Sequence, residues 1–175
     1  MWRICTAACA TVAVFGVAHA QQTMSDEQYL KTAMEGGPPV VSRSATIVRM
    51  DQQEMRTLRQ GNNGFTCMVL PDGSPMCADA AAMEWAHALQ THSTPPDKIG
   101  FMYMLAGDAG TSNTDPYATK QEPGNHWVKT GPHVMILGPA VKTMAGYQRT
   151  ADPDPTRPYV MWPGTPYEHL MIPVQ

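Results

Sequence analysis

Apolar and polar positions along this chain fall into two rhythms, one of about 3.6 residues and one of two, broken by glycine and proline. Ser25, Asp26, Glu27 and Gln28 form a capping-box signature, in which the serine hydroxyl and the glutamine side chain satisfy the first free amides of a helix. Leu30, Ala33 and Met34 follow at helical spacing, and Gly36-Gly37-Pro38-Pro39 stops the helix. Residues 45–50 alternate as a strand does. Residues 51–59 read as a short helix with Asp51 as cap and Glu54 three positions on, closed by the turn Gly61-Asn62-Asn63-Gly64. A strand over 65–70 leads into the reverse turn Pro71-Asp72-Gly73-Ser74. Asp79 can cap a third helix reaching Gln90, because Ala82, Trp85, Ala86 and Leu89 share one side when residues are placed about 100° apart.

Thr94-Pro95-Pro96 breaks that helix, and residues 99–105 are the clearest strand in the chain. Ile99, Phe101, Tyr103 and Leu105 form one face and Met102 and Met104 the other, as a central strand covered on both sides requires. Residues 106–124, dense in Gly, Asp, Asn, Ser and Thr, are too long for an ordinary connection, and such loops often carry function. Short strands are predicted over 127–129 and 133–137, then a helical turn over 140–147. Beyond Ala151, prolines 153, 155, 158, 163, 166 and 173 forbid helix and leave room only for short strands over 159–162 and 170–174.

This order of elements does not alternate regularly between β and α. It predicts a single α+β domain over 21–175, with an antiparallel or mixed sheet, two or three helices packed on one side and a Pro-rich C-terminal segment. A β-rich sandwich is the alternative, and it would require most of the predicted helix to be absent.

The first 20 residues change the picture. Arg3 precedes an uncharged apolar run from Ile4 to Val17 that ends at Ala18-His19-Ala20, the three-part pattern of a secretory signal peptide cleaved after Ala20. The run is shorter than the roughly 20 apolar residues that span a bilayer, and Cys9 lies too deep inside it for a lipidation site. A periplasmic or secreted destination follows, with no transmembrane segment after cleavage. Loss of Arg3 takes the formal charge from −3 to −4, and a mildly acidic surface argues against nucleic acid as a partner. Cys67 and Cys77 are the pair left after cleavage, and the turn between them folds one toward the other, so a disulfide is expected in an oxidising compartment. Without a C-x-x-C spacing, a thiol-redox role has little support.

Three segments carry a resemblance: residues 100–107 (GFMYMLAG), 125–133 (NHWVKTGPH) and 159–169 (YVMWPGTPYEH). Together they make the stretch from Ile99 to Val174, nearly half the chain, similar to a family of secreted bacterial proteins described only as hypothetical. The resemblance implies export and a shared fold. That family has no assigned activity, so no catalytic residue carries over.

Candidate chemistry is sparse. Asp108, Asn113 and Asp115, with Thr111 and Ser112 between, put hard oxygen donors in the long loop, the donor class for Ca²⁺, though without the EF-hand spacing. Turn-forming preference explains the same residues. His126, His133, His169 and Glu168 could converge by folding into a catalytic Zn²⁺ site that activates water, but no H-E-x-x-H motif is present. Glu84 and His87 resemble one quarter of a di-iron carboxylate site and read more simply as a solvated pair. Methionine is abundant enough to raise copper, yet the residues are scattered along the sequence, where they serve as gap fillers. Ser112 lacks the G-x-S-x-G elbow of a serine hydrolase, and no phosphate-binding glycine loop occurs.

Trp127, Trp162 and Tyr167, with Tyr117 and Tyr159, could line a ligand cleft or pack against prolines. The sequence therefore favours a non-catalytic module that binds a small molecule or a cell-envelope component through Asp108, Asn113, Asp115, Trp127, Trp162 and Tyr167. A metal-dependent hydrolase using His126, His133, His169 and Glu168 is the alternative.

Overall fold

The computed structural model describes residues 24–51 and 54–174. The leader expected over 1–20 and the cleavage point after Ala20 lie outside them. Among the described residues the chain forms α1 (Asp26–Met34), α2 (Pro39–Ser42), β1 (Thr46–Asp51), β2 (Glu54–Arg59), β3 (Phe65–Val69), β4 (Pro75–Asp79) and α3 (Ala80–Gln90). Then follow β5 (Gly100–Met104), β6 (Thr111–Ser112), β7 (Trp127–Val128), β8 (His133–Leu137), a 3-10 turn (Pro139–Thr143), β9 (Tyr159–Met161) and β10 (His169–Pro173). Eight strands build one sheet in the order β2-β1-β3-β4-β5-β8-β10-β9, and β6 and β7 pair separately. Only β1 and β3 run parallel among these neighbours, so the sheet is mixed and the class is α+β.

Local signals set the helix starts. The Ser25 side chain accepts from the Gln28 amide at 3.2 Å and the Gln28 side chain accepts from the Ser25 amide at 3.1 Å, closing the capping box. Asp79 ends β4 and caps α3, with Oδ1 accepting from the Ala82 amide at 2.8 Å. Its Oδ2 accepts from the Phe101 amide at 3.1 Å, so one carboxylate joins β4, α3 and β5.

Of the helix predicted over 51–59, Asp51 ends β1 and residues 54–59 form β2, which pairs antiparallel with β1 in the register Met50↔Met55 and Asp51↔Glu54. A cap is worth only about 1 kcal/mol, and pairing with the open edge of β1 satisfies a whole row of backbone groups at once. Two arginines hold the strand down. Arg56 bridges both carboxylate oxygens of Asp26 on α1, and Arg59 donates to the Ala45 and Ser42 carbonyls.

The expectation of helices on one side also gives way. Tyr29 and Ala33 of α1 pack with Ile47, Cys67 and Cys77, whereas Ala82 and Trp85 of α3 pack with Val48, Met68, Met76, Ala78 and Met102. Successive strand residues point to opposite faces, so α1 and α3 cover opposite sides of the sheet. Both sides of β3, β4 and β5 are apolar, and each needs its own cover. Gly100 lets α3 approach closely, because a Cβ there would lie 2.6 Å from the Ala82 amide nitrogen.

The α1 side centres on the cross-strand disulfide Cys67–Cys77, directly opposed on β3 and β4 and fully buried. Tyr29 adds a clamp, its hydroxyl accepting from the Val69 amide at 2.9 Å. Further along that side, Val141 of the 3-10 turn packs on Val160 and Leu170.

The α3 side is rich in sulfur. Met68, Met76, Met102, Met104, Met135, Met161 and Met171, seven methionines scattered over a hundred residues of sequence, belong to one buried cluster.

The cysteines are 10 apart in sequence, and closing a loop of that size should stabilise the fold by about 3 kcal/mol through the unfolded chain. Replacing both by alanine is expected to lower the free energy of urea unfolding by about that amount. An unchanged midpoint would show that the hairpin does not depend on the link.

Candidate functional site

The long connection between β5 and β7 is fastened along its length. Asp108 Oδ1 accepts from the Gly110 amide at 2.9 Å and the Thr130 amide at 3.0 Å. Gly110 sits at φ +100° against the Trp127 indole, where a Cβ would have no room. Ser112, fully buried, accepts from the Asp115 amide at 2.8 Å and the Thr114 amide at 3.2 Å. Trp162 Nε1 donates to the Ser112 carbonyl at 2.6 Å. Asn113 is fully buried as well, with Nδ2 donating to the carbonyls of Thr150 at 2.9 Å and Ala151 at 3.2 Å.

Among the described residues three non-glycine residues have positive φ, namely His92 at 55°, His126 at 51° and Trp162 at 55°, and each touches this connection. His92 stacks on Tyr117 at 4.0 Å, the His126 carbonyl accepts from the Asn113 amide, and Trp162 holds Ser112. Left-handed backbone at bulky residues is costly and persists where surrounding contacts over-determine it. The loop is therefore a rigid feature.

These contacts decide what the predicted oxygen ligands do. Asp108 and Asp115 accept from backbone amides, with Asp115 Oδ1 2.9 Å from the Tyr117 amide nitrogen, and Asn113 ties two loops together. Ser112 ends β6, and its buried side chain accepts from the amides of the turn that follows. Glu84 and His87 are exposed, and Glu84 pairs with Lys98.

The four predicted zinc ligands do not gather into one set, although His133 and His169 share a face of the sheet and His133 lies close enough for its charge to act on His169. His126 Nδ1 lies 2.9 Å from Asp152 Oδ1 near the surface. Glu168 is buried, its Oε2 accepting from Arg149 at 3.0 Å and from the Gly164 amide at 3.0 Å. His169 Nδ1 donates to the Tyr167 carbonyl at 3.0 Å, and its ring stands edge-on to Trp85 and Trp162. His133 Nδ1 donates to the Gly131 carbonyl at 2.7 Å. Among the described residues no group of three or more His, Cys, Asp or Glu side chains is placed to hold a metal ion.

Trp162 and Tyr167 are core residues. Trp85 stacks on Trp162 with centroids 6.1 Å apart and meets Tyr167 edge-on, and the Tyr167 hydroxyl donates to the Ser93 carbonyl at 2.8 Å. Trp127 is half-buried beside Gly110, and Tyr117 reaches solvent, 43 % exposed. Tyr117 edges a shallow cleft of about 240 Å³ in the loop, with Asp115, Lys120, Glu122 and Asn125 around it. A second cleft of about 410 Å³ lies beside Glu168, lined by Lys142, Gly164, Thr165 and Pro166.

Under the loop lies a polar group that sequence reading did not assemble. The Thr130 and Tyr159 hydroxyls are 2.7 Å apart and buried, with Asp108 and His133 close enough to feel each other's charge. Burial raises the Asp108 carboxyl and lowers the His133 imidazole, each toward its neutral form. Burial also raises the Tyr159 phenol. Thr130, Arg149, Asp152 and His92 were not legible as site residues, because each acts through a partner distant in sequence.

Comparison with family models, with curated proteins and with solved structures finds no match to this chain.

Burial holds the His169 imidazole down at about 4. The unfolded chain, titrating near 6.5, therefore takes up the proton first, and stability is lost as pH falls from about 6.5 to 4, by roughly 3 kcal/mol for this group. Asp108 works the other way, since a raised carboxyl favours the folded state as pH falls. Urea unfolding between pH 7 and 4 should show a net loss that His169→Gln flattens. An equal slope in that variant would remove His169 as its source.

Proposed function

We propose that this chain is an exported, non-catalytic binding module of the cell envelope, and that the anchored 106–126 loop is its recognition surface. One observation carries the reading: a long polar loop is held rigid by buried hydrogen bonds and by three left-handed residues, yet it presents an open polar cleft and an exposed Tyr117. A loop fixed beforehand loses little conformational entropy when a ligand arrives. Carboxylate, amide and ammonium groups beside one aromatic face suit a polyhydroxylated ligand, and an envelope saccharide is the class we assign.

Export is supported by the disulfide, by the N-terminal pattern and by the resemblance to secreted bacterial proteins. No helix among the described residues is long and apolar enough to cross a membrane. The hydrolase alternative finds no favouring contact, because Glu168 is engaged by Arg149 and His126 by Asp152.

Two measurements test these readings. Protein recovered from its native host should begin at Gln21 and show no free thiol; an intact Met1 would overturn export. Calorimetric titration with soluble peptidoglycan fragments should show binding that Tyr117→Ala weakens by about 1 kcal/mol, roughly fivefold. Absence of binding, or equal affinity in the variant, would remove the loop as the recognition surface.

A further inference from the structure

The α3 side of the sheet repeats one arrangement. His133 and Met135 on β8, His169 and Met171 on β10, Met102 and Met104 on β5, and Tyr159 and Met161 on β9 all alternate onto the same face. The register sets Met104 opposite His133, Met102 opposite Met135 and Met171 opposite Met135. Directly opposed side chains on antiparallel strands have Cβ atoms about 4.5–5.5 Å apart, which brings the Met104 thioether within reach of the His133 imidazole, and Met135, two positions on from His133 along β8, presents its side chain on the same face.

His133 is 0 % exposed, and its Nε2 has no hydrogen-bond partner. Its Nδ1 is 2.7 Å from the Gly131 carbonyl, which can only accept, so the ring proton is on Nδ1 and Nε2 carries a bare lone pair. A histidine that donates one ring N–H to a backbone carbonyl and turns the other nitrogen inward is oriented as metal-ligating histidines are. Burial keeps the ring neutral, the state that coordination needs.

We propose that His133 Nε2 and the thioethers of Met104 and Met135 form a buried site for a soft monovalent cation, Cu(I). Thioether and imidazole are donors that select Cu(I) over hard cations. The linked Cys67 and Cys77 offer no thiolate, so sulfur donation falls to methionine. His169, by contrast, is enclosed by Trp85 and Trp162. The site shares no residue with the loop cleft, so neither reading depends on the other.

The test uses the full chain carrying Cys5→Ser and Cys9→Ser, so that no free thiol competes, titrated anaerobically with Cu(I) in ascorbate against a chromophoric Cu(I) chelator. One equivalent should be retained, and methyl-labelled methionine spectra should move at Met104 and Met135 while the exposed Met50 and Met55 stay in place. Met104→Leu, which conserves volume and leaves the apo unfolding midpoint nearly unchanged, should weaken retention by about tenfold or more. His133→Gln should abolish it, and X-ray absorption should place both nitrogen and sulfur on the metal. Failure to retain Cu(I), full retention in Met104→Leu, or spectral changes confined to Met50 and Met55 would each overturn the site. If His133→Gln does not fold, the wild-type spectra and Met104→Leu still decide the matter.

Discussion

The two-residue repeat of β3, β4 and β5 is the constraint on which the rest of this structure depends. In these strands, Thr66 and the terminal Asp79 apart, both the odd and the even positions are apolar, so neither face can be left to water. One set carries Cys67, Cys77 and Tyr103 under α1, and the other carries Met68, Met76, Met102 and Met104 under α3. A one-residue slip of β4 against β3 would separate the cysteines and exchange the two sets. The disulfide, lying directly across that pair, holds the register on which both covers are built. Asp79 extends the constraint, since the same carboxylate starts α3 and accepts from the first amide after Gly100.

Much of the fold was legible because much of it is local. The α1 capping box, the Asp79 cap, the Pro71–Ser74 turn and the short strands forced by C-terminal prolines are all written within a few neighbouring residues. The failure over 51–59 has the opposite origin. Asp51 and Glu54 mimic a helix start, but the free edge of β1 and the carboxylate of Asp26, thirty residues from Arg56, decide for a strand. α1 and α3 were readable as helices and their sides were not, because a side is a property of strand pairing.

The candidate sites divide along the same line. The long loop could be found from composition alone, whereas its anchors on Thr150, Trp162 and His92 required the tertiary fold. Of the aromatics predicted to line a cleft, Trp162 and Tyr167 go inward, and Trp162 does so just past the end of β9, where its positive φ turns it onto the face that Met161 already occupies. Methionines that look scattered share a parity: Met102 and Met104, His133 and Met135, His169 and Met171 each occupy positions two apart. That alternation was present in the sequence as a signal, but only strand register could show that the parities coincide.

Three buried polar atoms among the described residues have no partner, namely Trp85 Nε1, Asn113 Oδ1 and His133 Nε2. Each such atom costs about 1–3 kcal/mol, a large share of what holds a domain of this size together. They are not spread evenly: Trp85 and His133 belong to the α3 side, and Asn113 lies in the loop that Trp162 of the same cluster fastens. The α1 side, closed by a disulfide and a tyrosine clamp, has none among the described residues. The α3 side and the loop fastened to it thus carry an unpaired indole N–H, two unpaired acceptor atoms and left-handed non-glycine backbone, none of which the α1 side shows among the described residues. That asymmetry is what a fold shows when one of its faces is shaped by something besides stability.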